Sequence, residues 1–204
     1  MSSSRPGHLP FLVVLSSPSG AGKTSICHEV VRRDPHVAYS VSVTTRPRRP
    51  GEANGRDYRF ASEARFRALL RRDGLVEHAR VYDHWYGTPR AFLAARFRAG
   101  RDVIADLDIQ GMRAVKRALP GTVGIFITVP DRRELARRLR GRGTDSAEVI
   151  RRREAELETE LAAMPDFDYT ILNDRLDRAV EAVLAIIRAE RCRTSRRVAE
   201  RKRR

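Results

Sequence analysis

Apolar residues along this chain gather in short, nearly unbroken runs, separated by segments where they recur every three or four positions. Phe11–Leu15, Val103–Leu107, Val123–Val129 and Tyr169–Leu172 are runs of the first kind. Their length and lack of alternation predict strands covered on both faces. The clearest segment of the second kind is the last. Leu176, Ala179, Val180, Val183, Leu184 and Ile187 fall at i, i+3, i+4, i+7, i+8 and i+11 and line one helical face. Asp174, two residues ahead of it, is the expected N-cap. Buried strands alternating with helices predict an α/β fold, a parallel sheet flanked by helices.

Residues 36–88 break this rhythm. Val37–Thr45 is rich in β-branched side chains, and Arg46–Gly55 in Pro, Gly and Arg. A short amphipathic helix comes next (Phe66, Leu69, Leu70), then strand-like pieces at Val76–Val81 and Trp85–Gly87. The segment reads as a mainly β insertion on the α/β core. Between two later helical stretches, Arg140–Ser146 is a polar, Gly-containing loop with the character of a mobile lid.

Composition narrows the class. With 41% hydrophobic residues the chain is too apolar to be disordered, and no run approaches a membrane span or a signal-peptide core. The expected location is cytoplasmic. Cys27 and Cys192 lie far apart, which indicates two reduced thiols and no zinc or disulfide framework. The net charge is +15, yet of the 41 basic residues only Lys23, Lys116 and Lys202 are lysine. So uniform a preference for arginine reads as a bias of the whole surface, and no specific nucleic-acid partner is expected. The field still favours anionic ligands. Residues 188–204 hold nine basic and two acidic residues, and the apolar face dwindles there. They predict a solvated helix end and a basic tail over 191–204. Such a tail makes at most weak, salt-sensitive polyanion contacts, and the core should not need it.

The strongest local signal is Ser17-Pro18-Ser19-Gly20-Ala21-Gly22-Lys23-Thr24, then Ser25, between a strand and a helix. This is the setting of a P-loop, with Ser17 where the strict pattern has Gly. Gly20 and Gly22 let backbone N–H groups curl around a β-phosphate. Lys23 supplies a compact charge to the β/γ oxygens, and the Thr24 hydroxyl can ligate Mg²⁺. In a chain that otherwise uses arginine, the lysine here is informative, because a guanidinium cannot replace it in a tight cradle.

Residues further along the chain suggest the acceptor. Ser40–Glu52 and Gly55–Tyr58 are succeeded in order by Glu77, Tyr86–Thr88, Asp106–Gly111, Arg140–Thr144 and Asn173–Asp174. With the P-loop, this series resembles the guanylate kinase family of P-loop nucleoside monophosphate kinases over roughly residues 11–190. The resemblance implies a P-loop NTPase-type core over 9–35 and 89–190, which includes a short lid at about 138–153. It makes 36–88 a GMP-binding insertion. Arg46, Arg49, Tyr58 and Tyr86 would hold the GMP phosphate, since guanidinium forks suit bidentate phosphate contacts. Glu77 would accept from guanine N1–H and the 2-amino group, with the Ser42 and Thr88 hydroxyls completing the base site. The family often has Ser at the Thr88 position. Asp106 and Asp108 end a buried strand, where ligands of parallel α/β folds gather. Orienting Mg²⁺ water, contacting guanine and its phosphate clamp, and capping the next turn all stay open for them.

The resemblance further implies that Lys23, Arg49, Arg138, Arg142 and Arg153 are catalytic and close on the transferred phosphoryl group. Asn173 and Asp174 would flank the adenine of ATP. Transfer from ATP to GMP needs no general base, because the acceptor oxygens are already anionic. Alignment and charge neutralisation suffice. Three rivals remain. A sugar-bisphosphate kinase of the same fold should lack Ser42, Glu77 and Thr88. A phosphoprotein-binding module should have a degraded P-loop. A nucleic-acid-binding ATPase explains the charge but not the ordered series. Oligomeric state is not readable from the sequence.

Overall fold

The computed structural model describes residues 7–18, 20–81, 83–130 and 157–197. In chain order the elements are β1 (Leu12–Ser16), α1 (Lys23–Arg33), β2 (Val37–Tyr39), β3 (Val43–Thr44), β4 (Arg59–Phe60), α2 (Glu63–Arg71) and β5 (Leu75–Val81). Then come β6 (His84–Pro89), α3 (Arg90–Arg98), β7 (Asp102–Asp106), α4 (Ile109–Ala118), β8 (Val123–Thr128), β9 (Tyr169–Leu172) and α5 (Leu176–Cys192). The four strands expected from apolar runs are β1, β7, β8 and β9, within a residue at either end.

Five strands form a parallel sheet in the order β2-β7-β1-β8-β9. β1 lies at its centre and is buried throughout. Successive side chains of a strand point to opposite faces, so β1 serves two cores. Val13 and Leu15 join Ile26 and Val30 of α1 and Val180, Val183 and Leu184 of α5. Leu12 and Val14 join Leu93 of α3 and Met112 and Val115 of α4. Helices therefore cover both faces, as the sequence pattern requires. A second sheet, β4-β3-β6-β5, packs its own small core of Val43, Phe66 and Leu75. Its strand β5 lies against α3 and α4. Among the described residues no helix is long and apolar enough to cross a membrane. Cys27 is buried, Cys192 exposed, and both are free thiols.

Three expectations need correction. Val37–Tyr39, assigned to the insertion at 36–88, is the edge strand of the parallel sheet and pairs with Asp102–Ile104 of β7. Only from Val43 does the chain enter the second sheet. The N-cap of α5 is Arg175, whose side chain caps nothing, and not Asp174. Asp174 instead accepts from the Arg175 N–H at 2.8 Å and pairs with Arg178 at 3.0 Å.

The third correction concerns the tail. α5 continues to Cys192, and Arg191 bonds Asp102 and Asp34, each at 2.7 Å. Arg196 is buried. It bonds Glu190 at 3.1 Å, donates to Gly121 O at 2.8 Å and covers the Phe11 ring at 4.2 Å. The Leu9 N–H donates to Arg196 O at 2.7 Å, and His8 bridges Arg197. Arg191 and Arg196 thus anchor this segment on the core, Arg191 through carboxylates far away in sequence and Arg196 through Glu190, Gly121 O and the Phe11 ring, while residues 192–195 and 197 are exposed. The lid and residues 198–204 lie outside the described residues.

Candidate active site

β1 delivers the chain to a tight loop, and α1 starts at Lys23 with Gly22 as its N-cap. Gly20 and Gly22 have φ of 94° and 92°, a left-handed backbone that favours glycine. Gly22 is required a second time, because a Cβ there would stand 2.8 Å from Asn173 Nδ2. Asn173 is buried and donates that amide to Ala21 O at 2.7 Å, so it braces the loop from behind. Lys23 folds back, donating to Ser17 O at 3.0 Å and Ser17 Oγ at 2.9 Å. The loop closes through Ala21 N–H to Pro18 O at 3.2 Å, while Ser25 faces solvent on α1.

Thr24 and the end of β7 meet here. The Thr24 hydroxyl donates to Asp106 Oδ2 at 2.5 Å, and the Tyr39 phenol donates to Asp106 Oδ1 at 2.5 Å. Burial first, then the Asp106 charge, pushes the Tyr39 phenol well above its ordinary range, so it stays a donor. Asp108 does something else. It is the N-cap of α4, accepting from Gly111 N–H at 2.7 Å. The capping role left open for both acids belongs to Asp108 alone.

Glu77, on β5, is buried, and its carboxylate accepts from the Thr88 hydroxyl of β6 at 2.8 Å. Burial raises its pKa to about 7, with the nearby Asp108 adding to the rise and the Thr88 hydroxyl opposing it. Burial also raises Asp108, against the Gly111 N–H and the Lys23 charge. Glu77, Asp108 and Lys23 thus share one electrostatic neighbourhood. Gly111 leaves room for it: a Cβ there would lie 3.0 Å from Asp108 Oδ1 and 3.5 Å from Glu77 Oε2. Ser42 is buried at the entry to β3.

The arginine-rich turn after β3 is held in place by one acid. Arg46 donates to Glu52 Oε1 at 2.6 Å and to Pro47 O at 2.8 Å, and the Arg49 N–H donates to Glu52 Oε2 at 2.8 Å. The Arg46 guanidinium lies 5.2 Å above the Tyr58 ring, which meets Tyr86 edge to face at 5.9 Å. Burial pushes the Tyr58 phenol up, and the Asp106 charge adds to this, which places Tyr58 near the end of β7.

The structure therefore brings together Ser17, Lys23, Thr24 and Asp106 at one end of the parallel sheet. Glu77, Thr88 and Asp108 are their neighbours, and Arg46, Tyr58 and Tyr86 form a cluster on the second sheet. Asp174 is engaged with Arg175 and Arg178. Ser19, Arg138, Arg142 and Arg153 lie outside the described residues. Two partners were missed by sequence reasoning. Glu52 was visible as the acid closing a run of arginines. Tyr39 carried no signal, because its partner Asp106 is 67 residues away.

A left-handed glycine loop between central strand and helix, with its lysine and threonine at the carboxyl end of a parallel sheet, defines a P-loop nucleotide-binding protein. The family can be named more closely. The family model for guanylate kinase matches residues 10–190. The guanylate kinase of Rhodospirillum rubrum is 46% identical over 96% of this chain and 92% of its own length. That of Paramagnetospirillum magneticum is 45% identical over 92% and 88%. The crystal structure of guanylate kinase from Anaplasma phagocytophilum superposes with a TM-score of 0.79 at 29% identity, covering 98% of this chain and 95% of that one. The chain belongs to the guanylate kinase family, ATP-binding nucleotide kinases.

Proposed function

We propose how the site residues of this guanylate kinase family member, which transfers the γ-phosphoryl group of ATP to GMP to give ADP and GDP, divide the work among defined roles. The observation that carries the base assignment is Glu77. It is a buried acid whose hydrogen-bond partner among the described residues is Thr88, in the same electrostatic neighbourhood as the P-loop lysine. Such a group has acceptor capacity to spare for guanine N1–H and the 2-amino group, donors that adenine does not present in that arrangement. Ser42 and Thr88 complete the base site. Arg46, Arg49, Tyr58 and Tyr86 take the acceptor phosphate, with Glu52 presetting the arginines.

On the donor side, residues 17–25 wrap the triphosphate, and Lys23 neutralises charge on the transferring group. Asn173 supports the loop, and Asp174 remains the member of that pair proposed to lie by the adenine. Hydroxyl and carboxylate oxygens beside a phosphate cradle suit a hard cation, so Thr24, with Asp106 through water, would hold Mg²⁺. Asp108, engaged in the α4 cap, is the weaker candidate. When bound with ATP, that ion supplies charge neutralisation at the β and γ oxygens. Arg138, Arg142 and Arg153 are proposed to close over the reacting phosphoryl from the lid. We place the enzyme in the cytoplasm, where GMP and ATP are available, with no membrane partner. Any weak polyanion contact would come from residues 191–204, where Arg193 and Arg197 are exposed while Arg191 and Arg196 are engaged with the core.

A coupled assay with GMP, AMP, UMP and a ribose bisphosphate as acceptors tests the reading. GMP should be preferred over AMP by about 10⁴-fold, the scale reached when a site pairs with donors or acceptors that a rival lacks. Preference for the sugar bisphosphate would favour the related kinase. No turnover with any acceptor would favour a binding module.

A further inference from the structure

Tyr39 is not among the residues assigned to either nucleotide, yet it is tied directly to the P-loop threonine's partner. It is the last residue of β2 and sits opposite Ile104 of β7, two residues before Asp106. One step later, Ser40 N–H donates to Ile104 O at 2.8 Å, so the β2 backbone is pinned to β7 on both sides of Tyr39. From there the phenol reaches Asp106 Oδ1 at 2.5 Å, while Thr24 occupies Asp106 Oδ2 at 2.5 Å. The ring is steadied from outside by His28 of α1, packed edge to face at 4.8 Å.

A threonine hydroxyl has one proton and two lone pairs. To present a lone pair to a cation, it must direct its O–H elsewhere. Asp106 accepts that hydrogen bond, but a carboxylate can rotate about its Cα–Cβ and Cβ–Cγ bonds. With Oδ1 held by Tyr39, Oδ2 stays aimed at Thr24. We propose that Tyr39 is a positioning residue for phosphoryl transfer, holding Asp106 so that Thr24 keeps its oxygen lone pairs turned toward the metal–triphosphate. This rests on the proposed function, in which Thr24 and Asp106 serve the cation of the bound ATP.

The test compares the full-length chain with Tyr39→Phe, Asp106→Asn and the double variant. Tyr39→Phe removes one hydroxyl and keeps the ring and its His28 contact. It should lower kcat about tenfold, the effect of losing one hydrogen bond to a charged group, with KM for GMP unchanged. Calorimetric titration of Mg²⁺ into enzyme with ATP should show weaker binding by a similar factor. The double variant should be no worse than Asp106→Asn alone, because Tyr39 acts through Asp106. Effects that multiply in the double variant, or wild-type kcat and Mg²⁺ binding in Tyr39→Phe, overturn the proposal. If Asp106→Asn itself leaves Mg²⁺ binding and kcat intact, the underlying assignment of Asp106 fails, and the proposal with it. A severe Asp106→Asn beside a wild-type Tyr39→Phe sinks only the role of Tyr39.

Discussion

Strand β7 carries a carboxylate at each end, and the chain treats the two in opposite ways. Asp102, 1% exposed at the start, is surrounded by donors that the protein itself supplies. Arg191 bonds it at 2.7 Å, His8 reaches both of its oxygens, and the Phe11 N–H donates at 3.2 Å. Asp106, at the other end, receives the neutral hydroxyls of Thr24 and Tyr39. The contrast repeats in two buried glutamates. Glu190 is held by Arg196 at 3.1 Å and by the Tyr169 phenol at 2.9 Å. Glu77 has the Thr88 hydroxyl and, among the described residues, no paired cation. Away from the site the fold gives its buried acids guanidinium partners. At the site it leaves them short of positive charge, a shortage that substrate donors and cations can fill.

Truncation after Glu190 should have the largest effect on this comparison. It removes Arg191 and Arg196 together, leaving Asp102 and Glu190 buried without their guanidiniums. Breaking a buried pair costs about 3–5 kcal/mol, and two such losses rival the whole stability of an ordinary domain. Circular dichroism should find the truncated chain unfolded or melting far below the parent. Truncation after Arg197 keeps the contacts of both arginines and should melt with the parent. Equal melting of both truncated forms would show that the network contributes little.

The same substitution should act with opposite sign at the two glutamates. Glu190→Gln leaves Arg196 without its charge partner and should destabilise by about 3 kcal/mol. Glu77 has a folded pKa of about 7 against an ordinary 4.5, so the unfolded chain ionises first as pH rises. Its contribution to stability is therefore lost between pH 4.5 and 7, by about 3 kcal/mol in total. Glu77→Gln should accordingly be more stable than the parent at pH 8 and little different near pH 4.5, while GMP selectivity collapses. Urea melts at the two pH values decide it. A Glu77→Gln protein less stable than the parent at pH 8 would mean that Glu77 is a structural acid after all.

The smallest expected effect is on binding. The proposed role of Glu77 requires its ionised carboxylate, so GMP affinity should fall roughly fivefold from pH 7 to 6 as Glu77 takes up its proton. The GMP phosphate also titrates near pH 6. The relevant quantity is thus the part of the pH dependence that disappears in Glu77→Gln. Isothermal titration in buffers of different ionisation heat should detect proton release when GMP binds the parent near pH 6.5. No difference in proton release between parent and variant would argue against the base assignment.

What could be read in the sequence was what is continuous along it. β1, the glycine loop, β9 and the apolar face of α5 are each written in one short segment, so periodicity and motif suffice. β2 was misplaced because three residues carry no period that distinguishes a core edge strand from part of an insertion. The charges from Arg188 onward were countable, but the partners of Arg191, Asp34 and Asp102, lie far back along the chain, so an anchored segment read as a solvated one. Tyr39 and Asp106 illustrate the same limit inside the site: each residue is unremarkable alone, and only the register of β2 on β7 brings them together.

The strand order also sets the sequence of events as the chain is synthesised. β1 emerges first, yet Leu12 pairs with Val103 and Val13 with Val123, so it has α1 against one face but no strand partner until β7 and β8 appear. The second sheet needs only residues between Val43 and Pro89 and can close by local hairpin pairing much earlier. Non-local parallel pairing is slow and leaves apolar strands open to aggregation while it waits. The second sheet should therefore be the early product of folding, and the sheet end at the glycine loop the late one. Between the two, the nascent chain carries β1 as an unpaired strand, the segment where a chaperone has the most to protect.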